Sequence, residues 1–318
     1  MALLFAFIGV LAAVCLFLFA IQKFSNQMQR ISGERFRKFV SLTTSTPLRG
    51  TIIGAFITSL VQSSTATTVM VVGLVNAGIL SFHNSLGVIF GANIGTTLTT
   101  QLLALNITAI APLIVVIGFF MFMFNTPGKK WGKPIFYFGL VFFSFAIVGM
   151  LIEPLRDNPL VIELFQKTTN LWFGLLLGAL FTTVFQSSTV TTGLAIVLTA
   201  NGFISFDQAV GIVLGANIGT TSTALLASLV MNTAPRRTAI AHVLFNVLGV
   251  VIFLPFLSLL IGLIQNLDMS AEQQVAMVHL VFNLIPAVIF LIFLKPFAAL
   301  VESIVKRGTP GTAPRDLL

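Results

Sequence analysis

Long apolar runs recur along the chain, separated by short stretches richer in charge, Gly and Pro. Runs at 2–22, 84–104, 108–125, 134–152, 206–229, 239–263 and 274–295 each come near the ~20 residues that span a bilayer as a helix. They are expected to cross it. Two runs break the pattern. Segments 51–80 and 172–204 hold about 30 residues each, roughly 45 Å as a helix, which is too long for one upright crossing. Each carries a polar cluster at its middle, Gln62-Ser63-Ser64-Thr65 and Gln186-Ser187-Ser188-Thr189. Two half-length arms meeting at a polar tip fit better than one over-long helix. Both are therefore expected to be re-entrant hairpins, their tips surrounded by protein or a watery cavity.

The two clusters lie 124 residues apart, and a second pair keeps the same offset: Gly91-Ala92-Asn93-Ile94-Gly95-Thr96-Thr97 and Gly215-Ala216-Asn217-Ile218-Gly219-Thr220-Thr221. Aligning 54–105 on 178–229 without a gap gives identity at about 24 of 52 positions, an internal repeat. The unit reads crossing, hairpin, crossing, crossing. Three crossings is an odd number, so the second copy must be inverted in the membrane. The expected fold is all-α and integral to the membrane, with about seven full crossings and two hairpins. Residues 1–133 form repeat 1 (hairpin 51–80, broken helix 84–104) and 134–263 repeat 2 (hairpin 172–204, broken helix 206–229). Residues 264–304 add a C-terminal crossing, and 305–318 form a tail.

Composition agrees. Hydrophobic residues make up 57% and charged residues 8%, against roughly 25% charge in soluble domains. The net charge is +8, but its basic residues sit in short loops, which suits membrane orientation and not nucleic acid. With the amino terminus outside and the carboxy terminus cytoplasmic, 15 Lys and Arg lie inside, and only Arg156 and Lys167 lie outside. The first run lacks a basic start and a clear cleavage site and is read as a retained helix. The 23–50 stretch is read as a basic loop with a short surface helix, and the tail after Lys306 as disordered. The single Cys15 excludes an intrachain disulfide.

The polar clusters carry the chemistry. A hairpin tip offers hydroxyls, an amide and free backbone groups. Half-helix N-termini favour anions, while unwound carbonyls favour Na⁺. The glycines of Gly-Ala-Asn-Ile-Gly-Thr-Thr suggest a helix that unwinds locally, exposing oxygen ligands of the kind hard cations take. Close helix packing is the competing reading of small residues, but it gives no account of two buried Gln and two buried Asn. His242-Val-Leu-Phe-Asn246 and His279-Leu-Val-Phe-Asn283 repeat a pattern that places His and Asn on one helix face. They read either as an interhelical brace or as a site wall, and two His without Cys or carboxylate make a poor zinc site.

The paired Gln-Ser-Ser motifs, each followed by Gly-Ala-Asn-Ile-Gly-Thr, resemble those of the type II sodium-dependent phosphate (Na/Pi) cotransporter family, over about 50–295. The resemblance implies a sodium-driven carrier of inorganic phosphate, not an enzyme, with no cofactor besides Na⁺ as coupling ion. It implies phosphate contacts at Gln62, Ser63, Ser64, Thr65, Gln186, Ser187, Ser188 and Thr189. Sodium oxygens are expected from Ser64, Thr67, Asn93, Thr96, Thr97, Ser188, Thr191, Asn217, Thr220 and Thr221. His242, Asn246, His279 and Asn283 are the candidate site wall. Many bacterial members carry a PhoU-like helical domain after the transmembrane part, and this chain is read as a short member without one. The expected partners are phosphate, Na⁺ and the bilayer of the cell membrane, with a homodimer left open. The rival classes are a channel filtered by the paired loops and an intramembrane serine hydrolase using Ser63 or Ser188 with His242 or His279. The duplicated serine leaves the hydrolase without a rationale.

Overall fold

The computed structural model describes residues 2–105, 107–124, 128–155, 158–159 and 170–306. All regular structure among them is helical. The elements are α1 (Ala2–Thr43), α2 (Pro47–Val61), α3 (Ser64–Asn76), α4 (Phe82–Ala104), α5 (Ala111–Met123), α6 (Lys129–Ile152), α7 (Leu171–Phe185), α8 (Ser188–Ala200), α9 (Phe206–Gly219), α10 (Ser222–Ser228), α11 (Thr233–Phe253), α12 (Leu257–Gln265), α13 (Ala271–Ile292) and α14 (Leu294–Ile304). Among the described residues, six spans are long and apolar enough to cross a membrane: Phe5–Ile31, Phe82–Ala104, Lys129–Ile152, Phe206–Ser228, Thr233–Gln265 and Ala271–Ile292. The seventh expected crossing, 108–125, appears as a shorter apolar helix, Ile107–Met123, that opens with a 3-10 turn. The chain is a multi-pass membrane protein. Its outward faces are apolar, as on α7, where Trp172, Leu176, Leu180 and Val184 form an exposed stripe.

The 124-residue offset reappears in the helix boundaries. α7 and α8 begin and end 124 residues after α2 and α3, and the left-handed glycines Gly78 and Gly202 keep the same spacing. Local chemistry sets these ends. Ser63, Ser81, Ser187 and Ser205 each cap a helix through a side-chain oxygen that accepts a backbone N–H, satisfying a donor that has no partner inside the helix. α2 lies along α4 and α7 along α9, while α3 packs on α4 and α11, and α8 on α9 and α13. The halves interlock through α10 on α3 and α4 on α8. The first half buries Phe90 against Phe245, Phe290 and Phe297. The second half packs Phe142, Phe145 and Val213 around α6, α8 and α9.

Three expectations are corrected. First, the 23–50 stretch is not a loop with a separate surface helix, because α1 continues unbroken to Thr43. Second, the helix at 84–104 is not broken: α4 runs continuously through Gly91–Thr97. Only the second copy is interrupted, at Thr220–Thr221. Third, the glycines of the motif do not unwind a helix. A Cβ at Gly87, Gly91 or Gly95 would lie 1.9, 2.0 or 2.4 Å from the backbone oxygens of Pro47, Thr51 and Ala55. At Gly211, Gly215 and Gly219 it would lie 2.2, 1.9 and 2.4 Å from those of Leu171, Leu175 and Ala179. The stripe lets α4 and α9 lie against α2 and α7 at backbone contact, as small residues do between membrane helices. The expected disorder after Lys306 concerns residues outside those described.

Candidate functional site

Each polar cluster forms a two-residue turn between half-length helices. Gln62 (φ 58°) and Gln186 (φ 54°) are the only non-glycine residues of positive φ among the described residues. This left-handed conformation costs roughly 1–2 kcal/mol in an L-residue, and such strain gathers at functional sites. The next residue, Ser63 or Ser187, is extended and caps the following helix. The chain folds back, and Thr58 meets Thr67 across the first turn at 2.9 Å and Thr182 meets Thr191 across the second at 2.6 Å. In a continuous helix, residues nine apart would lie roughly 13 Å apart along the axis.

Both turns open on one cavity of about 550 Å³, and all eight expected phosphate contacts line it: Gln62, Ser63, Ser64, Thr65, Gln186, Ser187, Ser188 and Thr189. No lining residue is charged. Ser64 and Ser188 are buried, and neither hydroxyl has a partner in the protein. The N-termini of α3 and α8 lie at the cavity, so backbone N–H groups and positive dipole ends supply what a lysine or arginine otherwise would. Such a wall suits a small anion accompanied by a cation.

The two turns are not in the same state. Gln62 donates its amide to the Ser59 carbonyl and accepts from the Thr99 hydroxyl. At the equivalent place in the second copy, Gln186 is exposed to the cavity, and the Thr223 hydroxyl is buried without a partner.

Of the expected sodium oxygens, Ser64 and Ser188 line the cavity, whereas Thr67, Asn93, Thr96, Thr97, Thr191, Asn217, Thr220 and Thr221 are buried behind it. Thr67, Thr96, Thr97, Thr191 and Thr221 donate to carbonyls three or four residues earlier in the chain. The side-chain amides of Asn93 and Asn217 do the same. Thr220 has no partner. The wall reading of His242, Asn246, His279 and Asn283 is corrected: none of them lines the cavity, and all four are buried between helices. His279 Nδ1 meets the Thr100 hydroxyl at 3.0 Å, bracing α13 on α4. His242 has no such partner, and the position 124 residues after Thr100 is Ala224.

Sequence reasoning missed α1. Gln22, Ser25, Asn26 and Gln29 line the same cavity as the turns. Their i, i+3, i+4, i+7 spacing was the available signal, hidden by the loop reading of 23–50. A second cavity of about 150 Å³ lies between α6 and α8. Its Phe145, Ala146, Gly149 and Gly193 stand 124 residues after Ile21, Gln22, Ser25 and Val69 of the large cavity. The Phe145 ring lies directly on Gly193, where a Cβ would come within 2.2 Å of its Cζ.

Comparison with known proteins agrees with this geometry. A family model described as Na+/Pi-cotransporter matches residues 16–150 and 155–292. The chain is 32% identical to the uncharacterized protein YqeW of Bacillus subtilis (strain 168) over 269 residues, covering 84% of this chain and 88% of that one. It is 28% identical to the putative inorganic phosphate export protein YjbB of Salmonella typhimurium over 267 residues, covering 83% of this chain but only about half (49%) of that protein. Human sodium-dependent phosphate transport protein 2B is 36% identical over 91 residues, 28% of this chain and 13% of that one. No solved structure matches. With nearly the whole described chain matched and both copies of the Gln-Ser-Ser-Thr turn at one cavity, the chain belongs to the Na+/Pi-cotransporter family, a family of phosphate transporters and not of enzymes.

Proposed function

We propose that the chain is a sodium-coupled secondary transporter of inorganic phosphate in the cell membrane, working by alternating access. The observation that carries this reading is the meeting of both Gln-Ser-Ser turns at one uncharged cavity. Phosphate is held by serine and threonine hydroxyls and helix N-termini, and Na⁺ by hydroxyl and amide oxygens behind the turns. A threonine that donates its proton to a helix carbonyl keeps its lone pairs for a cation. With no fixed positive charge in the cavity, the anion binds weakly until sodium arrives, and by linkage phosphate raises sodium affinity equally. That is the physical basis of coupling.

The repeated helix boundaries and the odd number of crossings per unit support two inverted repeats. The Lys and Arg distribution supports a cytoplasmic carboxy terminus. Gln22 then lies about 30 Å along α1 from its outer end, near the cytoplasmic surface, and the large cavity opens inward. The small one is its repeat-related counterpart on the outer side, narrowed where Phe145 lies on Gly193.

The purified chain in proteoliposomes is expected to accumulate phosphate against its gradient when an inward sodium gradient is imposed, and not when a proton gradient replaces it. Equilibration without accumulation would mean a channel. A second measurement tests alternation. In a Cys15→Ser background, Val69→Cys is expected to react with an impermeant thiol reagent from the cytoplasmic side and Ala146→Cys from the outer side, each position protected when the other is exposed. Both cysteines reacting from one side would overturn alternating access.

A further inference from the structure

The repeat holds one interface wide and its counterpart narrow. Residues of α1 and α3 line the large cavity, and residues of α6 and α8, their repeat counterparts, line the small one. Two positions mark the difference. In the first copy they are Ile21 and Val69, and both line the cavity of about 550 Å³. In the second they are Phe145 and Gly193, and the Phe145 ring fills the place a Cβ would take on Gly193. What remains between α6 and α8 is about 150 Å³. The ring is 3% exposed and packs edge-on against Phe17 of α1, with centroids 4.3 Å apart. It therefore stands between the two cavities. It lines the small one and touches α1 at Phe17, whose neighbours Leu18 and Ile21 line the large one.

This contact differs from the glycine stripes of α4 and α9. There the atom nearest an added Cβ belongs to a helix backbone, and only movement of a whole helix relieves it. On Gly193 the nearest atom is Cζ, the far end of one side chain. A ring leaves by rotation about its side-chain torsions, and such rotations are fast against the motion of helices. The contact can open without disturbing its neighbours. The two pairs are also matched differently. The second copy sets a large ring on a glycine, and the first offers two branched side chains of middle size. Exchanging partners spoils either fit, since phenylalanine on valine overfills the contact and isoleucine on glycine leaves a gap.

We propose that Phe145 on Gly193 is the outer gate of the carrier, and that Ile21 and Val69 form the inner gate, apart in this structure and packed together when the outer one opens. This rests on the alternating-access reading above and names the side chains that alternate. Phe17 lies one turn before Ile21 on α1, so release of the ring frees the helix that must approach α3 to shut the inner side. Each gate is then favoured by the state that opens the other.

The test measures sidedness in sealed right-side-out and inside-out membrane vesicles carrying the full chain in a Cys15→Ser background. An impermeant thiol reagent reads one reporter at a time, Ala146→Cys for the outer cavity and Asn26→Cys for the inner. In Gly193→Val the ring cannot seat. Labelling of Ala146→Cys from outside is expected to rise about tenfold, and labelling of Asn26→Cys from the cytoplasmic side to fall about as far, the scale of one overpacked contact shifting a two-state equilibrium. Sodium-dependent phosphate uptake is expected to fall with them. Adding Phe145→Ile rebuilds the first copy's pair and is expected to return all three to within about threefold of the parent. Should Gly193→Val fold poorly, Gly193→Ala, which still meets the ring, gives the same readout. If Phe145 only packs, thermal stability falls while the ratio of outer to inner labelling stays unchanged, and that result overturns the gate but leaves the carrier intact. So does a rise at Ala146→Cys with none of the fall at Asn26→Cys, which a local gap would produce, or a double variant that recovers nothing. A parent protein in which both reporters label from the same side overturns alternating access itself.

Discussion

Replacing both Ser64 and Ser188 by alanine is expected to abolish sodium-dependent phosphate uptake and leave the fold intact. Each serine is the first residue of a half-length helix, α3 or α8. Each is nearly buried, at 5% and 4% exposure, yet lines the cavity, and neither hydroxyl is bonded within the protein. Both hydroxyls open onto the cavity with no bond inside the protein, so each is available to an anion seated there. One hydrogen bond to an anion is worth about 1.5–3 kcal/mol, roughly 10- to 100-fold in affinity, and two independent losses multiply. The uptake efficiency of the double variant is therefore expected to fall by at least about 100-fold, and each single variant by about tenfold or more. Their neighbours behave differently. Ser63 and Ser187 cap α3 and α8 through bonds to the N–H groups of Ala66 and Val190, so Ser63→Ala is expected to cost about 1 kcal/mol of stability as well as activity. Thermal unfolding in detergent separates the two effects. A Ser64→Ala/Ser188→Ala protein with wild-type KM would remove these hydroxyls from the site. The repeat pairs Ser64 with Ser188 and Ser63 with Ser187, so a test that combines Ser63 with Ser188 compares a cap with a ligand.

The sequence shows this site clearly because the duplicated residues are the ones that cannot be traded. A residue that turns the chain, caps a helix and faces the cavity at once tolerates few replacements, and Gln-Ser-Ser-Thr survives in both copies. The turns also sit where run length and polarity together require them, at the middle of segments too long to be one crossing. α1 was harder to read. Its polar residues begin where the apolar run ends, and a basic stretch after a crossing looks the same in sequence whether the helix stops at Gln22 or continues, as it does, to Thr43. Only the placement of Gln22, Ser25, Asn26 and Gln29 on a common cavity distinguishes the two. The His-x-x-Phe-Asn pair shows a further limit. Helical spacing puts His and Asn on one face but does not say what that face meets, and here it meets other helices, with Thr100 as the partner of His279.

The glycines were misread because unwinding and close packing call for the same residue, and their chemistry predicts opposite outcomes for one substitution. If Gly91 served to loosen α4, alanine there would straighten the helix and stabilise it by roughly 0.5–1 kcal/mol. The structure predicts the reverse. An added Cβ at Gly91 would lie 2.0 Å from the Thr51 oxygen and 2.7 Å from the Ala55 nitrogen, both backbone atoms that no side-chain rotation can clear. α2 must then move bodily off α4, and α2 carries the Gln62 turn. Overpacking of this kind costs about 1–3 kcal/mol when side chains can yield, and more when the obstacle is another helix backbone. Gly91→Ala is expected to lower the thermal midpoint by many degrees and to abolish phosphate uptake, and Gly215→Ala, 1.9 Å from the Leu175 oxygen, to do the same through α7. Gly73 is the internal control: it lies inside α3 with nothing within 4 Å of its Cβ position, so Gly73→Ala is expected to be neutral or slightly stabilising. A Gly91→Ala protein as stable as Gly73→Ala would return these glycines to the unwinding role and detach the turn from the helix argued to hold it.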